Sequence, residues 1–187
     1  DNLKNVTTFK RMFPGGINRN DMKHLYLMRH AKSSWDDPFI KDHERPLNER
    51  GIRAAQFMGA WVSQHLNMPE VIISSSATRA QQTAEIFIQA SSFRGKYQQS
   101  EILYGSGPRD YAEVLSKNLA STNLVMLIAH NPTIEEFVEK STGKKYDFPT
   151  AALAHLKLDI NFWQDIVEAK KVNVGGFWKP KDLMTND

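Results

Sequence analysis

The chain contains no cysteine. Disulfides, thiolate nucleophiles and cysteine-ligated metals are therefore excluded, and the absence suits a reducing compartment, so a cytoplasmic location is expected. No apolar run approaches the length needed to span a bilayer, and residues 1–21 lack the apolar core of a secretory signal. Basic residues form no long run or stripe. With 24 Lys and Arg against 21 Asp and Glu, the net charge is +3 and the isoelectric point about 9.1. That mild excess favours anionic ligands without calling for nucleic acid, and neither a nucleic-acid nor a membrane partner is expected. Internal repeats, low-complexity tracts and an interdomain linker are also missing. What is there is a chain of 187 residues, 41% hydrophobic and 24% charged, suited to one globular domain with a sizeable core.

Strand and helix signals alternate along the chain, which predicts an α/β fold: a mostly parallel central sheet covered by helices as a three-layer α/β/α sandwich. Residues 1–21 read as an irregular leader with Met22 as a candidate natural start, 22–175 as the domain, and 176–187 as an irregular tail. A first strand is expected at about His24 to Met28, followed by a long polar loop from Ala31 to Pro46. Asn48 opens a helical pattern in which Ile52, Ala55, Met58, Val62 and Leu66 recur at spacings of three and four. Val71-Ile72-Ile73 reads as a buried strand, Ser74-Ser75-Ser76 as a turn-like cap, and Ala80, Ala84, Phe87 and Ile88 as the inner face of a second helix. A shorter strand is expected near Tyr97 to Leu103 and a third helix from Pro108 to about Leu119. Leu124 to Ala129 is the strongest apolar run and ends on His130. Asn131 and Pro132 then look like the cap and first turn of another helix. Ala151 to Leu158 and Ile166 to Val174 read as closing strands.

Three strand-to-helix junctions carry unusual residues: Arg29-His30, Arg79 after the serine run, and His130-Asn131. If those strands are parallel neighbours, all three junctions meet at the carboxyl edge of the sheet, where ligands bind in open α/β folds. Two guanidinium groups and two imidazoles with no acidic cluster suit an anion better than a metal ion. Arg offers a permanently charged planar fork for phosphate, and His is a nucleophile usable near pH 7. A tetrahedral phosphoryl group fits such a set, held by fixed donors while an imidazole attacks in line.

These residues carry a resemblance. Leu27 through Trp35, Glu44 through Gly51, Ser74 through Ala84, Leu103-Tyr104 and Ala129 through Pro132 together resemble the histidine phosphatase (phosphoglycerate mutase-like) superfamily, and within it the small SixA-like phosphohistidine phosphatases. The resemblance covers about Lys23 to Leu158. It implies a phosphoglycerate mutase-like fold, His30 as the nucleophile that becomes phosphorylated, and Arg29, Arg79 and His130 as catalytic and phosphate-pocket residues. Arg45, in the Arg-Pro-Leu stretch, matches a further phosphate-binding arginine of the small enzymes. Ala31 replaces the usual Gly of the first motif, and Ser76 stands where the second often has Pro. Neither change removes a functional group.

The expected activity is hydrolysis of protein phosphohistidine or another labile phosphate, with no metal and no cofactor. The alternatives are a phosphate-binding or interaction protein with vestigial turnover, and a small-molecule phosphomonoesterase. The partner is thus a phosphorylated protein or a small phosphorylated substrate. The carboxylate that protonates an alkoxide leaving group in larger relatives has no obvious counterpart; Asp36, Asp37, Glu101 and Asp110 are the loop and strand-end candidates. A protonated phosphoramidate leaves without such help, so the weak acid signal favours nitrogen-linked phosphate. His24, His65 and His155 are expected to be ordinary surface or core residues, and His43 a solvated loop residue. Arg50 and Arg53 should face solvent, and Glu135 and Glu136 should complement a helix N-terminus. Trp35 reads equally as a lid or as a hydrophobic plug.

Overall fold

In the first strand, β1 (Lys23–Arg29), side chains alternate between two buried faces. Leu25 and Leu27 join one apolar cluster and Tyr26 and Met28 the other, the pattern of a strand covered on both sides. The same holds for β4 (Leu124–Ala129), where Val125 and Leu127 oppose Met126 and Ile128. The computed structural model describes residues 22–105, 107–117, 119, 121–169 and 172–184. The expected leader, 1–21, lies outside the described residues.

With β2 (Val71–Ser75), β3 (Lys96–Ser100), β5 (Leu153–Leu158) and β6 (Val172–Trp178), the strands form one six-stranded sheet in the order β3-β2-β4-β1-β5-β6. The first four run parallel, while β5 pairs antiparallel with β1 and β6 antiparallel with β5. Helices α1 (Glu49–His65) and α2 (Thr78–Ser91) cover the face that carries Tyr26, Met28, Ile72 and Met126. Helices α3 (Pro108–Ser116) and α4 (Thr133–Thr142) cover the opposite face, packing Tyr111, Leu115, Ile134 and Val138 on Leu25 and Leu27. The predicted three layers are present, around a mixed sheet. Among the described residues, no helix is long and apolar enough to cross a membrane.

Several local expectations are corrected. The tail from 176 is not irregular: β6 runs on through Trp178, and a short helix α5 (Pro180–Met184) follows it. The stretch expected as a strand from Ile166 begins instead with a 3-10 segment, Trp163–Glu168. Gly175 and Gly176, at the expected start of that tail, lie within the edge strand. A Cβ on Gly175 would press on His155 and Lys157, and one on Gly176 would collide with the Trp178 ring. Ser74 and Ser75 are not a cap; they finish β2, fully buried, because their hydroxyls bond Tyr97 and His130. Leu103 belongs to a 3-10 turn, Glu101–Leu103, that follows β3. Ile52 turns outward, and α1 instead buries Gly51, Ala55, Met58, Gly59 and Val62.

Asn48 does cap α1, its side chain accepting from the Gly51 N–H at 2.9 Å. This helix start also pins the polar loop, since the Asn48 N–H donates to the Lys32 carbonyl at 3.0 Å. Gly51 is pressed so closely on Lys32 that a Cβ would collide with that same carbonyl. Gly51→Ala therefore forces backbone apart just after His30. Destabilisation of about 1–3 kcal/mol is expected from the overpacking, read as a lowered Tm, with a loss of turnover measured below that temperature.

Candidate active site

Strands β1, β2 and β4 are parallel and contiguous, so their carboxyl ends share one edge. His30 follows β1 directly and His130 follows β4, with Arg29 and Ala129 in register just before them. Their rings meet at 4.9 Å between centroids, tilted by 52°. Arg79 lies in the first turn of α2, after β2. Arg45 comes from the long loop, which an isolated bridge between Ser33 and Leu47 closes at its base. All five residues singled out in the sequence thus reach one region: Arg79 and Arg29 both act electrostatically on His30 and on His130, and Arg45 and Arg79 grip a common carboxylate.

His30 is 8% exposed, and its Nδ1 lies 2.7 Å from the Ala31 carbonyl. A carbonyl can only accept, so Nδ1 carries the proton and Nε2 keeps a lone pair. The Ala31 N–H donates to Thr83 Oγ1 at 3.0 Å, and that hydroxyl donates to the Arg79 carbonyl at 2.6 Å. Helix α2 therefore fixes both Arg79 and the backbone that follows His30. Burial pushes the His30 pKa down to about 3; the Ala31 bond opposes this, while His130, Arg79 and Arg29 add to it. His130 is lowered to about 4, by burial first and then by Arg79, with Asp42 pulling the other way. Its Nε2 meets Ser75 Oγ at 2.8 Å.

Both rings are consequently neutral at pH 7, and the sign of the pH dependence follows. A histidine with its ordinary value near 6.5 would be about a quarter protonated at that pH and half protonated, and half inactive, at about pH 6.5. Here kcat/KM, which reports the free enzyme, should hold from pH 7 down to about 5 and fall only towards about 4. The check is a pH profile on an acid-stable aryl phosphate, normalised for the substrate's own ionisation. A midpoint at 6.5 would contradict the buried neutral pair.

The cations are braced from behind. Arg29 Nη1 donates to the Phe148 carbonyl at 2.7 Å. Glu135 does more than complement its helix: its Oε1 accepts from Asn131 Nδ2 at 2.6 Å and from the Phe148 N–H at 2.9 Å. Asn131 is thereby corrected from helix cap to brace, and Pro132 occupies the cap of α4. Arg45 donates from Nε to the Ser34 carbonyl at 3.0 Å and from Nη2 to Ser33 Oγ at 2.6 Å. Trp35 is not a plug. It is 72% exposed, and its ring lies over the Arg45 guanidinium at 3.2 Å from the centroid, a cation–π cover.

One residue among these arginines escaped the sequence reading. Asp42 accepts from Arg45 Nη1 at 2.8 Å through Oδ1, and from Arg79 Nη2 at 2.9 Å and the Tyr104 hydroxyl at 3.2 Å through Oδ2. Burial would raise its pKa, but the bond and charge of Arg79, with Tyr104 and Arg45, hold it below the usual carboxylate range. The signal that could have found it is its spacing, three residues before Arg45 across one helical turn. The carboxylates considered from sequence have local partners: Asp36 bonds Ser34 and Asp37 the Phe39 N–H in their own loop, Asp110 caps α3 at Gly107, and Glu101 is in the 3-10 turn rather than in the strand. His43 is not a free loop side chain; it is half-buried, bonds Ser76 Oγ at 3.0 Å and sits edge-on to Tyr104. Among the described residues, no group of three or more His, Asp or Glu stands close enough to hold a metal ion. His24 and His155 hydrogen-bond each other at 2.9 Å, near the opposite end of β1, roughly 20 Å along the strand from His30.

The sequence model of the histidine phosphatase superfamily (branch 1) matches residues 25–104. An uncharacterised protein of Mycobacterium tuberculosis is 33% identical over 168 residues, covering 82% of this chain and 100% of that protein. A SixA phosphohistidine phosphatase homologue from Haemophilus influenzae is 29% identical over 152 residues, 74% of this chain and 90% of its own. Among solved structures, a candidate phosphohistidine phosphatase SixA from Agrobacterium tumefaciens superposes with a TM-score of 0.72 at 27% identity, covering 84% of this chain and 98% of that one. Fold and relatives together support phosphatase activity. The matched segment holds Arg29, His30, Arg45 and Arg79, the relatives extend the likeness over most of the chain, and the chain belongs to the histidine phosphatase superfamily.

Proposed function

We propose that the protein hydrolyses labile phosphate, phosphohistidine on another protein above all, through a phosphorylated His30 and without a metal. The observation that carries the nucleophile is the Nδ1 bond to the Ala31 carbonyl, which leaves Nε2 bare in a pocket whose burial and cations keep the ring neutral. Nε2 attacks phosphorus, the bond to the leaving nitrogen breaks, and its electron pair departs with the leaving imidazole, which carries a proton. Water then attacks the phosphoryl group on His30 and releases inorganic phosphate. Arg29, Arg45, Arg79 and His130 hold the phosphoryl oxygens and spread the charge that develops on them. Arg29 Nε and His130 Nδ1 are both buried without a hydrogen-bond partner in the protein. Such groups cost about 1–3 kcal/mol each when left unpaired, and binding a tetrahedral anion offers them acceptors.

The substrate class is supported by the state of Asp42. The carboxylate beside the pocket arginines is held ionised by them, so it is a poor proton donor for an alkoxide. A protonated imidazole needs no donor. A comparison of kcat/KM for a phosphohistidine protein and for common sugar phosphates tests this, with the phosphohistidine expected to lead by about tenfold or more, ~1.4 kcal/mol of transition-state discrimination. A sugar phosphate preferred by that margin would overturn the assignment and make the protein a small-molecule phosphomonoesterase.

A further inference from the structure

We infer that Asp42 is an internal counter-anion, competing with phosphoryl oxygens for Arg45 and Arg79 and so setting how readily the site releases inorganic phosphate. The inference rests on the reading of this pocket as a phosphate site. The Asp42 carboxylate lies between the two forks, 2.8 Å from Arg45 Nη1 and 2.9 Å from Arg79 Nη2. It is 53% exposed while both arginines are buried, which places it on the solvent side of them.

A carboxylate between two arginines can act as a fastener or as a competing charge, and the contacts separate the two. Arg45 is fastened without it, by the Ser34 carbonyl, the Ser33 hydroxyl and the face of Trp35. Arg79 is held partly by the Asp42 main chain, whose carbonyl accepts from Nη1 at 2.5 Å whatever the side chain is. Removing the carboxylate therefore loosens little and changes mainly the charge. A guanidinium carries five N–H groups, so a phosphoryl oxygen can share either arginine with Asp42. Hydrogen-bond lengths then put it on the order of 4–6 Å from the carboxylate. Like charges at that separation repel, more strongly where water is partly excluded. With both histidines neutral, three arginines alone would hold a phosphate dianion tightly, and turnover requires that it leave.

The test measures equilibrium binding of inorganic phosphate to the full chain by calorimetry. It compares wild type, Asp42→Asn, Asp42→Ala and Asp42→Glu, alongside phosphate inhibition of turnover. Asn and Ala should bind phosphate at least about tenfold more tightly, ~1.4 kcal/mol. Their product-inhibition constants should fall in step, with kcat lowered and KM lowered rather than raised. Glu, which restores the charge, should return affinity to within about threefold of wild type. Unchanged or weakened phosphate binding in Asp42→Asn would overturn the inference and leave Asp42 a fastener; if the Ala variant melts, the isosteric Asn variant decides alone. If no form binds phosphate, the inference falls as well, while labelling of His30, a separate measurement, reports on the proposed function.

Discussion

Given labelled substrate and quenched in acid-free conditions, the wild-type enzyme should carry a phosphoryl group that is stable to base and lost in acid, and His30→Ala should carry none. Turnover in the variant should fall by about three orders of magnitude or more, as when a covalent nucleophile is removed and only binding is left to assist water. His30 is packed against His130 and tied to Ala31, so a thermal melt should accompany the assay. A folded variant that kept its label would remove His30 as the covalent residue. Because Nδ1 is committed to a main-chain carbonyl, the label should lie on Nε2, and phosphorus NMR of the trapped intermediate distinguishes the two nitrogens.

The second large effect is expected at Arg79. Its fork is buried and reaches the pocket from the first turn of α2, and it acts on both histidines. Arg79→Ala should lower kcat/KM by about 10²–10³, the usual cost of deleting one fixed donor from a charged transition state. Arg79→Lys should recover only part of this, since a point charge cannot replace a planar fork that serves Asp42 and substrate together. Equal activity in Arg79→Lys and wild type would show that charge alone suffices.

The parts of the site that were legible in the sequence are those that end strands. Leu25 to Met28 and Leu124 to Ala129 are apolar runs closed abruptly by Arg29-His30 and His130, and adjacent parallel strands bring such ends together with no further information. Asp42 was not legible because its role depends on two partners, one three residues away and one thirty-seven residues away. Along the chain its spacing to Arg45 is the one signal, and nothing there points to Arg79. Ser74 and Ser75 misled for a related reason: hydroxyls favour turns unless tertiary partners satisfy them, and here Tyr97 and His130 do so. The closing segment beyond Gly175 reads as loop by composition, yet an edge strand tolerates glycines where neighbouring side chains crowd the Cβ position.

The 4.9 Å between the His30 and His130 rings matches the spacing of neighbouring strands, about 4.7–4.9 Å in any sheet. Strand pairing fixes where the two histidines leave the backbone, one step past the Arg29–Ala129 register pair, while the Ala31 carbonyl and the Ser75 hydroxyl orient their rings. A core substitution that leaves β1 and β4 paired in register should therefore leave the backbone positions of this pair in place. The arginines have no such ruler. Arg79 depends on where α2 begins and Arg45 on how one long loop closes, so changes of specificity should accumulate in that loop and helix start while the histidine spacing stays constant.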